Sequence, residues 1–241
     1  MKSEDIFNRD VSETGRYRYT TNRYSSVIAT GIQTRGLVDI IKRHSPKAKT
    51  ILDVGCGDGT YTFELIDALN PKKVLAFDPA SKSIALAKKD TPKAYKKIVT
   101  FIVGDIYKLS TFIKPRQFDA VVVRGVLHHL DYPVKAIAEL SKIADHVYVL
   151  EPSGFNPVLK IIEKTSQYHV EHQEKSYFPP TLNTWFRAKG FTIAEQRFFS
   201  LVPYFSPTWL VNILLMMSPV LENIPFLRAL YCGTNLFYAK K

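Results

Sequence analysis

Three glycines at alternate positions, Gly55, Gly57 and Gly59, follow the apolar run Thr50–Val54. Because glycine has no Cβ, a turn built from it can approach a bound ligand closely and adopt unusual backbone dihedral angles. Asp78 ends a second apolar run about 20 residues further on, the distance at which a carboxylate accepts the ribose hydroxyls of a nucleoside. These residue types at this spacing predict a nucleoside-binding turn.

Candidate catalytic groups follow two later apolar runs. His128 and His129 are candidate general bases, because they come after a predicted fourth strand and imidazole titrates near neutral pH. The alternative is that one or both rings only pack over the ligand. Glu151 ends the predicted fifth strand, where it would either orient a substrate hydroxyl or hydrogen-bond the helix that follows.

A second histidine pair lies in the polar segment Tyr168–Glu174, after a predicted helix over Asn156–Thr165. His169 and His172 are further candidate bases, and the alternative is a polar surface loop. Neither a cysteine nor a convincing third ligand accompanies this pair, so no metal site is predicted.

Apolar runs separated by helix-like segments must position these groups. The predicted strands are Thr50–Val54, Val74–Asp78, Ile98–Asp105, Phe118–Val123, His146–Glu151, Phe191–Phe199 and Thr234–Ala239. The pattern predicts an α/β fold with a doubly wound, mostly parallel sheet, helices on both faces and a ligand beyond the carboxyl ends of the strands. A further helix is predicted over Thr181–Gly190, closed by its glycine.

Four motifs in order, Asp53 with the three glycines, Asp78-Pro79, Gly104-Asp105, and Phe118-Asp119 through His128-His129-Leu130, resemble those of class I S-adenosylmethionine-dependent methyltransferases. The chain is most similar to the small-molecule methyltransferase group, over about residues 49–150. The resemblance implies a Rossmann-like sheet of seven strands with the last one antiparallel, S-adenosylmethionine as cofactor and S-adenosylhomocysteine as product.

The resemblance also implies a cofactor site, residue by residue. Asp53 would lie near the amino group of the methionine moiety, Asp78 would hold the ribose hydroxyls, and Asp105 the adenine amino group. The implied cofactor-binding residues are Asp53, Gly55, Cys56, Gly57, Asp78, Pro79, Gly104, Asp105, Ile106, Arg124 and Gly125. Cys56 is expected to pack within the turn, Ile106 to cover one adenine face, and Arg124 and Gly125 to line the cofactor with backbone. Ala80 departs from the serine that relatives often carry there.

Composition predicts a single domain over residues 1–241, in a reduced, cytoplasmic protein. The chain has 241 residues, 46% of them apolar, which suffices for one large core. Its three parts are an N-terminal segment over 1–45, a cofactor-binding core over 46–151 and a substrate side over 152–241. Two cysteines make no disulfide framework, and the N-terminus lacks the apolar core of a signal peptide. Residues 16–19 and Tyr24 are expected to form a lid over the cofactor.

The net charge of +11 fits nucleic acid, an anionic membrane surface or a phosphorylated substrate. Six lysines between Lys82 and Lys97 account for part of it and are expected on the solvated face of a helix. Methyltransferases that act on exocyclic amines of bases resemble one another in an Asn/Asp-Pro-Pro-aromatic loop after the fourth strand. Arg124-Gly-Val-Leu127 stands there instead, so nucleic acid is not favoured.

An apolar insertion over 198–221 lies between the last two predicted strands and contains no charged residue. Pro203, Pro207 and Pro219 interrupt it, and the helix predicted over Pro207–Met217 is too short to cross a bilayer. The insertion would wall an apolar acceptor pocket or contact a membrane surface peripherally. The alternatives are that it covers the sheet or forms a homo-oligomer contact.

These patterns together predict methyl transfer to a small-molecule acceptor, most of all to a hydroxyl of an apolar, anionic or lipid-linked compound. The alternatives are an RNA or other polar acceptor, and a non-catalytic module that only binds the cofactor.

Overall fold

Seven strands form one sheet in the described part of the chain, which comprises residues 3–172, 174–204 and 206–241 of a computed structural model. The strands are β1 (Thr50–Val54), β2 (Lys73–Asp78), β3 (Val99–Val103), β4 (Ala120–Arg124), β5 (His146–Pro152), β6 (Thr192–Phe199) and β7 (Thr234–Lys240). Their order is β3-β2-β1-β4-β5-β7-β6, with β1 to β5 parallel and β7 antiparallel to both its neighbours. The predicted fold class is confirmed.

The predicted strands match the observed ones to within a few residues. The largest shifts are at β3, which ends at Val103 instead of Asp105, and at β4, which begins at Ala120 instead of Phe118. Asp119 does not join β4, since its carboxylate accepts hydrogen bonds from the backbone N–H groups of Lys49 and Thr50, 2.8 Å each. This contact joins the starts of β1 and β4 and leaves their carboxyl ends side by side.

Helices cover both faces of the sheet. They are α1 (Ser3–Thr14), α2 (Tyr24–His44), α3 (Thr60–Leu69), α4 (Ser81–Asp90), α5 (Leu109–Phe112), α6 (Pro133–Ile143), α7 (Pro157–Thr165), α8 (Gln167–Glu171), α9 (Pro179–Arg187), α10 (Thr208–Leu221) and α11 (Pro225–Tyr231). One core packs α2, α3 and α4 against the sheet, and a second packs α6 and α9 against its other face. Short 3-10 turns lie at Arg18–Thr20, Lys93–Tyr95, Ile106–Lys108 and Leu127–His129.

The lysine cluster lies on a solvated surface, as predicted. Lys82, Lys88 and Lys89 are exposed on α4, while Ile84 and Ala87 on the same helix are buried against the sheet. The helical period of 3.6 residues separates these two faces. This part of the positive charge therefore has a structural explanation.

The apolar insertion forms a longer helix than predicted. α10 runs on to Leu221, so the expectation that Pro219 ends it was wrong. A proline removes one N–H donor, and in the last turn this leaves the closing bond from the Glu222 N–H to the Ser218 carbonyl intact, 2.9 Å. No helix in residues 3–172, 174–204 and 206–241 combines the length and apolar character that a bilayer span needs.

Within the described residues of the insertion, the helix packs on another helix. α10 packs on α2, where Val211 is fully buried, while Trp209 and Met216 are 65% and 80% exposed. Exposed apolar side chains form a stripe that runs along α10 and continues onto α11. They are Trp209, Ile213, Met216, Met217, Val220, Ile224 and Phe226. We call this set the apolar stripe. Phe205, within the predicted insertion, and Gln173, within the predicted polar segment, lie outside the described residues.

Candidate active site

The glycine turn joins β1 to α3 at the carboxyl edge of the sheet. Gly55 has φ +72°, in the left-handed region, and a Cβ placed on it would lie 2.5 Å from Val126 Cγ2. The N–H groups of Gly55 and Cys56 both donate to the Phe77 carbonyl, at 2.8 and 3.0 Å. The turn is therefore fixed against β2 on one side and against the segment that follows β4 on the other.

Asp53 lies buried beneath this turn at the end of β1. Its Oδ2 accepts a 2.6 Å hydrogen bond from Thr62 Oγ1, in the first turn of α3. Burial raises the pKa of Asp53 to about 6, although the Thr62 hydroxyl and the Arg124 charge act in the opposite direction. A cationic group bound beside this carboxyl would favour its ionised form.

Asp78 lies at the end of β2 and connects it to the turn. Its two oxygens accept hydrogen bonds from the N–H groups of Gly57, 3.0 Å, and Ala80, 2.8 Å. Burial raises the pKa of Asp78 to about 6 in spite of these bonds. Because Asp78 satisfies the Ala80 N–H itself, this turn forms without the serine that relatives often carry. Pro79 between them is exposed.

The third implied contact region follows β3. Asp105 Oδ1 accepts a 2.9 Å hydrogen bond from the Tyr107 N–H and so caps the short turn Ile106–Lys108. Ile106 is buried in the core under this turn, and Gly104 lies close to the rings of Phe77 and Phe112. The expected adenine contacts of these residues stay predictions.

Arg124 ends β4 with a buried side chain. Its guanidinium donates to Thr34 Oγ1, 2.9 Å, and lies 3.7 Å from the centre of the Tyr61 ring. Its Nε has no hydrogen-bond partner among the described residues. The sequence interpretation assigned only backbone contacts to Arg124 and Gly125, and no local pattern pointed to this buried guanidinium.

Burial raises the pKa of the Cys56 thiol well above its usual range, in keeping with its expected packing role.

Glu151 holds the turn that carries the histidines. Its carboxylate, 1% exposed, accepts hydrogen bonds from the N–H groups of Val126 and Leu127, at 2.9 and 2.8 Å, and from the His128 N–H, at 3.2 Å. A further 2.7 Å contact joins Glu151 Oε2 to His128 Nδ1. Glu151 therefore positions His128. Its bonds go to this turn and not to the following helix, and its expected contact with a substrate hydroxyl stays a prediction.

The pKa values of the two rings of this turn are shifted in opposite directions. Burial acts to lower the pKa of His128, but the Glu151 carboxylate outweighs it and leaves that pKa raised. Burial and the neighbouring His128 lower the pKa of His129 well below its usual range. The ring of His129 hydrogen-bonds the backbone of His172, and its Nδ1 has no hydrogen-bond partner among the described residues. The lowered pKa of His129 favours its neutral form.

The second histidine pair lies against the first. His169 Nε2 is 3.3 Å from Glu174 Oε2, and Glu174 Oε1 accepts a 2.9 Å hydrogen bond from the Tyr19 hydroxyl. His172 is buried, with Nε2 3.0 Å from Asp10 Oδ2 in α1. The segment is therefore not the surface loop weighed above, and His172 anchors α1.

Asp10 was not among the residues singled out from the sequence, and Tyr19 and Glu174 were named only within the expected lid and the polar segment. Asp10, Tyr19 and Glu174 lie far from the histidine turn along the chain. Glu174 belonged to the polar segment already noted, but nothing in its spacing indicated a partner. We call His128, His129 and Glu174 the histidine–glutamate cluster.

The segment before α2 lies against the glycine turn, and its role as a lid over the cofactor stays a prediction. Asp58 Oδ2 accepts hydrogen bonds from Thr20 Oγ1, 2.6 Å, and the Tyr17 N–H, 3.3 Å, while Asp58 Oδ1 accepts from the Thr60 N–H. Asp58 thus both caps α3 and holds this segment. Tyr24 begins α2, and its hydroxyl donates to Asn212 on α10.

Comparison with known proteins places this fold and site in a family context. A family model described as a methyltransferase domain matches residues 45–190. A tRNA U34 carboxymethyltransferase of Nautilia profundicola is 30% identical over 161 residues, 60% of this chain and 47% of that protein. An uncharacterized methyltransferase of Schizosaccharomyces pombe is 35% identical over 119 residues, 47% of this chain and 40% of that protein. The chain thus spans less than half the length of these curated relatives.

A solved structure shares the fold over the whole chain. It is the magnesium protoporphyrin IX methyltransferase of Synechocystis, solved with bound S-adenosylhomocysteine, with a TM-score of 0.69 at 16% identity, covering 99% of each chain. At this identity the likeness concerns the fold.

Proposed function

This chain belongs to the methyltransferase-domain family, and on that basis we propose that it methylates a hydroxyl of a small, partly apolar acceptor, with S-adenosylmethionine as donor. One observation carries the proposal: the histidine–glutamate cluster adjoins the glycine turn, since Gly55 lies against Val126, two residues before His128. A donor site and a set of basic side chains thus share one edge of the sheet.

The residues at the glycine turn fit S-adenosylmethionine. Gly57 leaves an open surface without a side chain, Asp53 offers a buried carboxyl to a cationic amino group, and Asp78 offers carboxylate oxygens to hydroxyls. Bound there, S-adenosylmethionine would supply a methyl group on a good sulfonium leaving group. The protein must mainly orient the acceptor, which contributes roughly 7–11 kcal/mol to lowering a barrier of this kind.

The histidine–glutamate cluster supports a hydroxyl acceptor. An alcohol or phenol must lose its proton as its oxygen is methylated, and a positioned base accelerates such a step by about 10² to 10⁴. His129 Nδ1 has no hydrogen-bond partner among the described residues. Tyr19 and Phe7 bring the N-terminal segment against the same groups.

The apolar stripe supports an acceptor that has an apolar portion and that the protein encounters at a membrane surface. Its members are exposed on α10 and α11, and Phe226 is 73% exposed. An amphipathic or apolar helix of this length lies in the interface of a bilayer and binds more strongly to anionic lipids when the protein is basic. A lipid, a quinone precursor or a lipid-linked saccharide combines these features.

A second candidate is transfer to RNA. It is favoured by relatives whose name states that they act on tRNA U34, and by the net charge of +11. The absence of an Asn/Asp-Pro-Pro-aromatic loop argues only against exocyclic base amines, and a hydroxyl of a nucleotide stays compatible with the cluster.

Methyl-labelled S-adenosylmethionine and an extract of the source cells test both candidates. We expect label in the organic phase, and none with Asp78→Ala, whose folding is checked by its thermal melt. Label that stays in the aqueous phase and disappears with ribonuclease would favour RNA instead. A protein that binds the cofactor tightly and transfers no label to any fraction would be a non-catalytic binding module.

A further inference from the structure

Three ligand-type side chains converge where the histidine turn meets the segment after α8. One ligand atom each from His128, His129 and Glu174 lies within 4.8 Å of the other two. Glu174 comes from a part of the chain more than 40 residues beyond the histidines, so the tertiary fold alone makes this grouping.

Each of the three side chains is oriented from behind by another group. Glu151 binds His128 Nδ1, which leaves Nε2 of that ring as its ligand atom. The backbone of His172 binds the His129 ring, whose Nδ1 has no hydrogen-bond partner among the described residues. Tyr19 donates to one oxygen of Glu174. Histidine ligands of metal ions almost always donate their second N–H to a carboxylate or a carbonyl, and such outer contacts fix the ring and its tautomer.

We propose that His128, His129 and Glu174 bind a divalent transition-metal ion of the Zn²⁺ type. Two imidazoles and one carboxylate are the donor set of open catalytic zinc sites, which keep a further position for water or substrate. Imidazole ligands favour zinc and its neighbours in the first transition row over Mg²⁺ and Ca²⁺, which prefer oxygen alone. The sequence predicted no metal because the pair His169 and His172 has no third ligand. The site proposed here draws on a different pair.

The ion would also act on the acceptor, and this part rests on the proposed function. Coordination of the acceptor hydroxyl to a Lewis acid lowers its pKa. The hydroxyl then releases its proton to solvent, and its oxygen bonds to the methyl carbon as the carbon–sulfur bond breaks and its electron pair stays on sulfur. Metal coordination and proton abstraction by a free His129 are alternatives, because both need the same lone pair.

Titration of the full chain with Co²⁺, followed by visible absorption and calorimetry, tests the site. We expect one equivalent to bind with a spectrum typical of nitrogen and oxygen ligands, and Zn²⁺ to displace it. His129→Ala and the nearly isosteric Glu174→Gln should each weaken binding at least about 10-fold. His44→Ala is the matched control, since His44 also contacts a carboxylate, Glu195, but lies outside the cluster. Thermal melts show that the variants are folded.

Absence of stoichiometric binding, or equal binding by Glu174→Gln, His129→Ala and the wild type, would overturn the proposal. Treatment with a chelator distinguishes a failure of the metal-site proposal from a failure of the proposed function. Methyl transfer that stops with the chelator and returns with Zn²⁺ supports both. Cobalt binding without methyl transfer to any acceptor supports the site and contradicts the proposed function. Methyl transfer without cobalt binding contradicts the site alone.

Discussion

Gly55 and Val126 lie so close that a Cβ on Gly55 would be 2.5 Å from Val126 Cγ2, and this contact joins the glycine turn to the histidine turn. The approach connects β1 and β4 at the edge where we propose that the methyl donor and the acceptor meet. It requires glycine for two independent reasons, the contact itself and the positive φ of +72°.

Gly55→Ala should therefore lower the free energy of unfolding by more than Gly57→Ala. Both positions have positive φ, which costs about 1–2 kcal/mol for a residue with a Cβ. Only Gly55 adds a clash, because no atom lies within 4 Å of a Cβ on Gly57, and overpacking of this kind costs about 1–3 kcal/mol. Urea denaturation measures both variants. Adding Val126→Ala to Gly55→Ala should relieve the clash but leave the strain from the positive φ. A double-mutant cycle in which the two substitutions show no coupling in the free energy of unfolding would contradict this account.

Replacement of Glu151 by Gln should destabilise the histidine turn. The amide places an N–H₂ group among the backbone donors of Val126, Leu127 and His128, and leaves buried N–H groups unsatisfied at about 1–3 kcal/mol each. The midpoint of urea denaturation should fall accordingly. Glu13→Gln is the control, since Glu13 is exposed and such a change stays within about 0.5 kcal/mol. Equal midpoints for the two variants would show that Glu151 is not a positioning residue.

Affinity for S-adenosylmethionine should decrease as the pH falls below about 6. Burial raises the pKa of Asp53 and of Asp78 to about 6, and the cationic and hydroxyl groups of the cofactor favour the ionised carboxylates. For the unbound protein the sign is opposite. A raised carboxyl pKa means that the folded state binds more protons between about pH 4 and 6, so stability falls as the pH rises through that window. Calorimetry from pH 5 to 8 measures the affinity, and a flat profile would contradict the prediction.

Thr62→Val provides a directed shift of that profile. The Thr62 hydroxyl stabilises ionised Asp53 through its 2.6 Å hydrogen bond, so its removal should raise the pKa of Asp53 further. The pH at which cofactor affinity is half lost should then move upward, with little change above pH 8. A midpoint that moves downward would show that Asp53 does not govern the profile.

The double variant Met216→Ser, Phe226→Ser should fold normally and bind anionic liposomes at least about 10-fold more weakly than the wild type. Both side chains belong to the apolar stripe and are more than 70% exposed, while burial of such a side chain contributes about 1.5–3 kcal/mol. Val134→Ser on α6 is the control for an exposed apolar residue away from the stripe. Co-sedimentation with vesicles measures binding. Equal binding by the wild type, the double variant and Val134→Ser would contradict a membrane role and favour a contact between copies or with another partner.

Local patterns predicted the fold well where neighbours along the chain decide the structure. The apolar runs matched the strands, and the alternate glycines with Asp53 and Asp78 marked the turn, because short-range sterics and burial set these features. A local rule also produced the wrong prediction for Pro219. Proline usually ends a helix, but Pro219 lies in the last turn of α10, where its missing N–H does not interrupt the helix.

The sequence by itself determined the order of elements, the glycine turn and the carboxylates around it. Only the tertiary structure decided that Glu174 and Asp10 meet the histidines and that Tyr19 meets Glu174, across separations of 155 residues between Tyr19 and Glu174 and 162 between Asp10 and His172. It also buried the carboxylate of Glu151, which holds the histidine turn, and the guanidinium of Arg124. Hydrophobic periodicity reports which face of an element is buried, whereas the partners of a polar side chain depend on which distant segments pack at the same edge of the sheet.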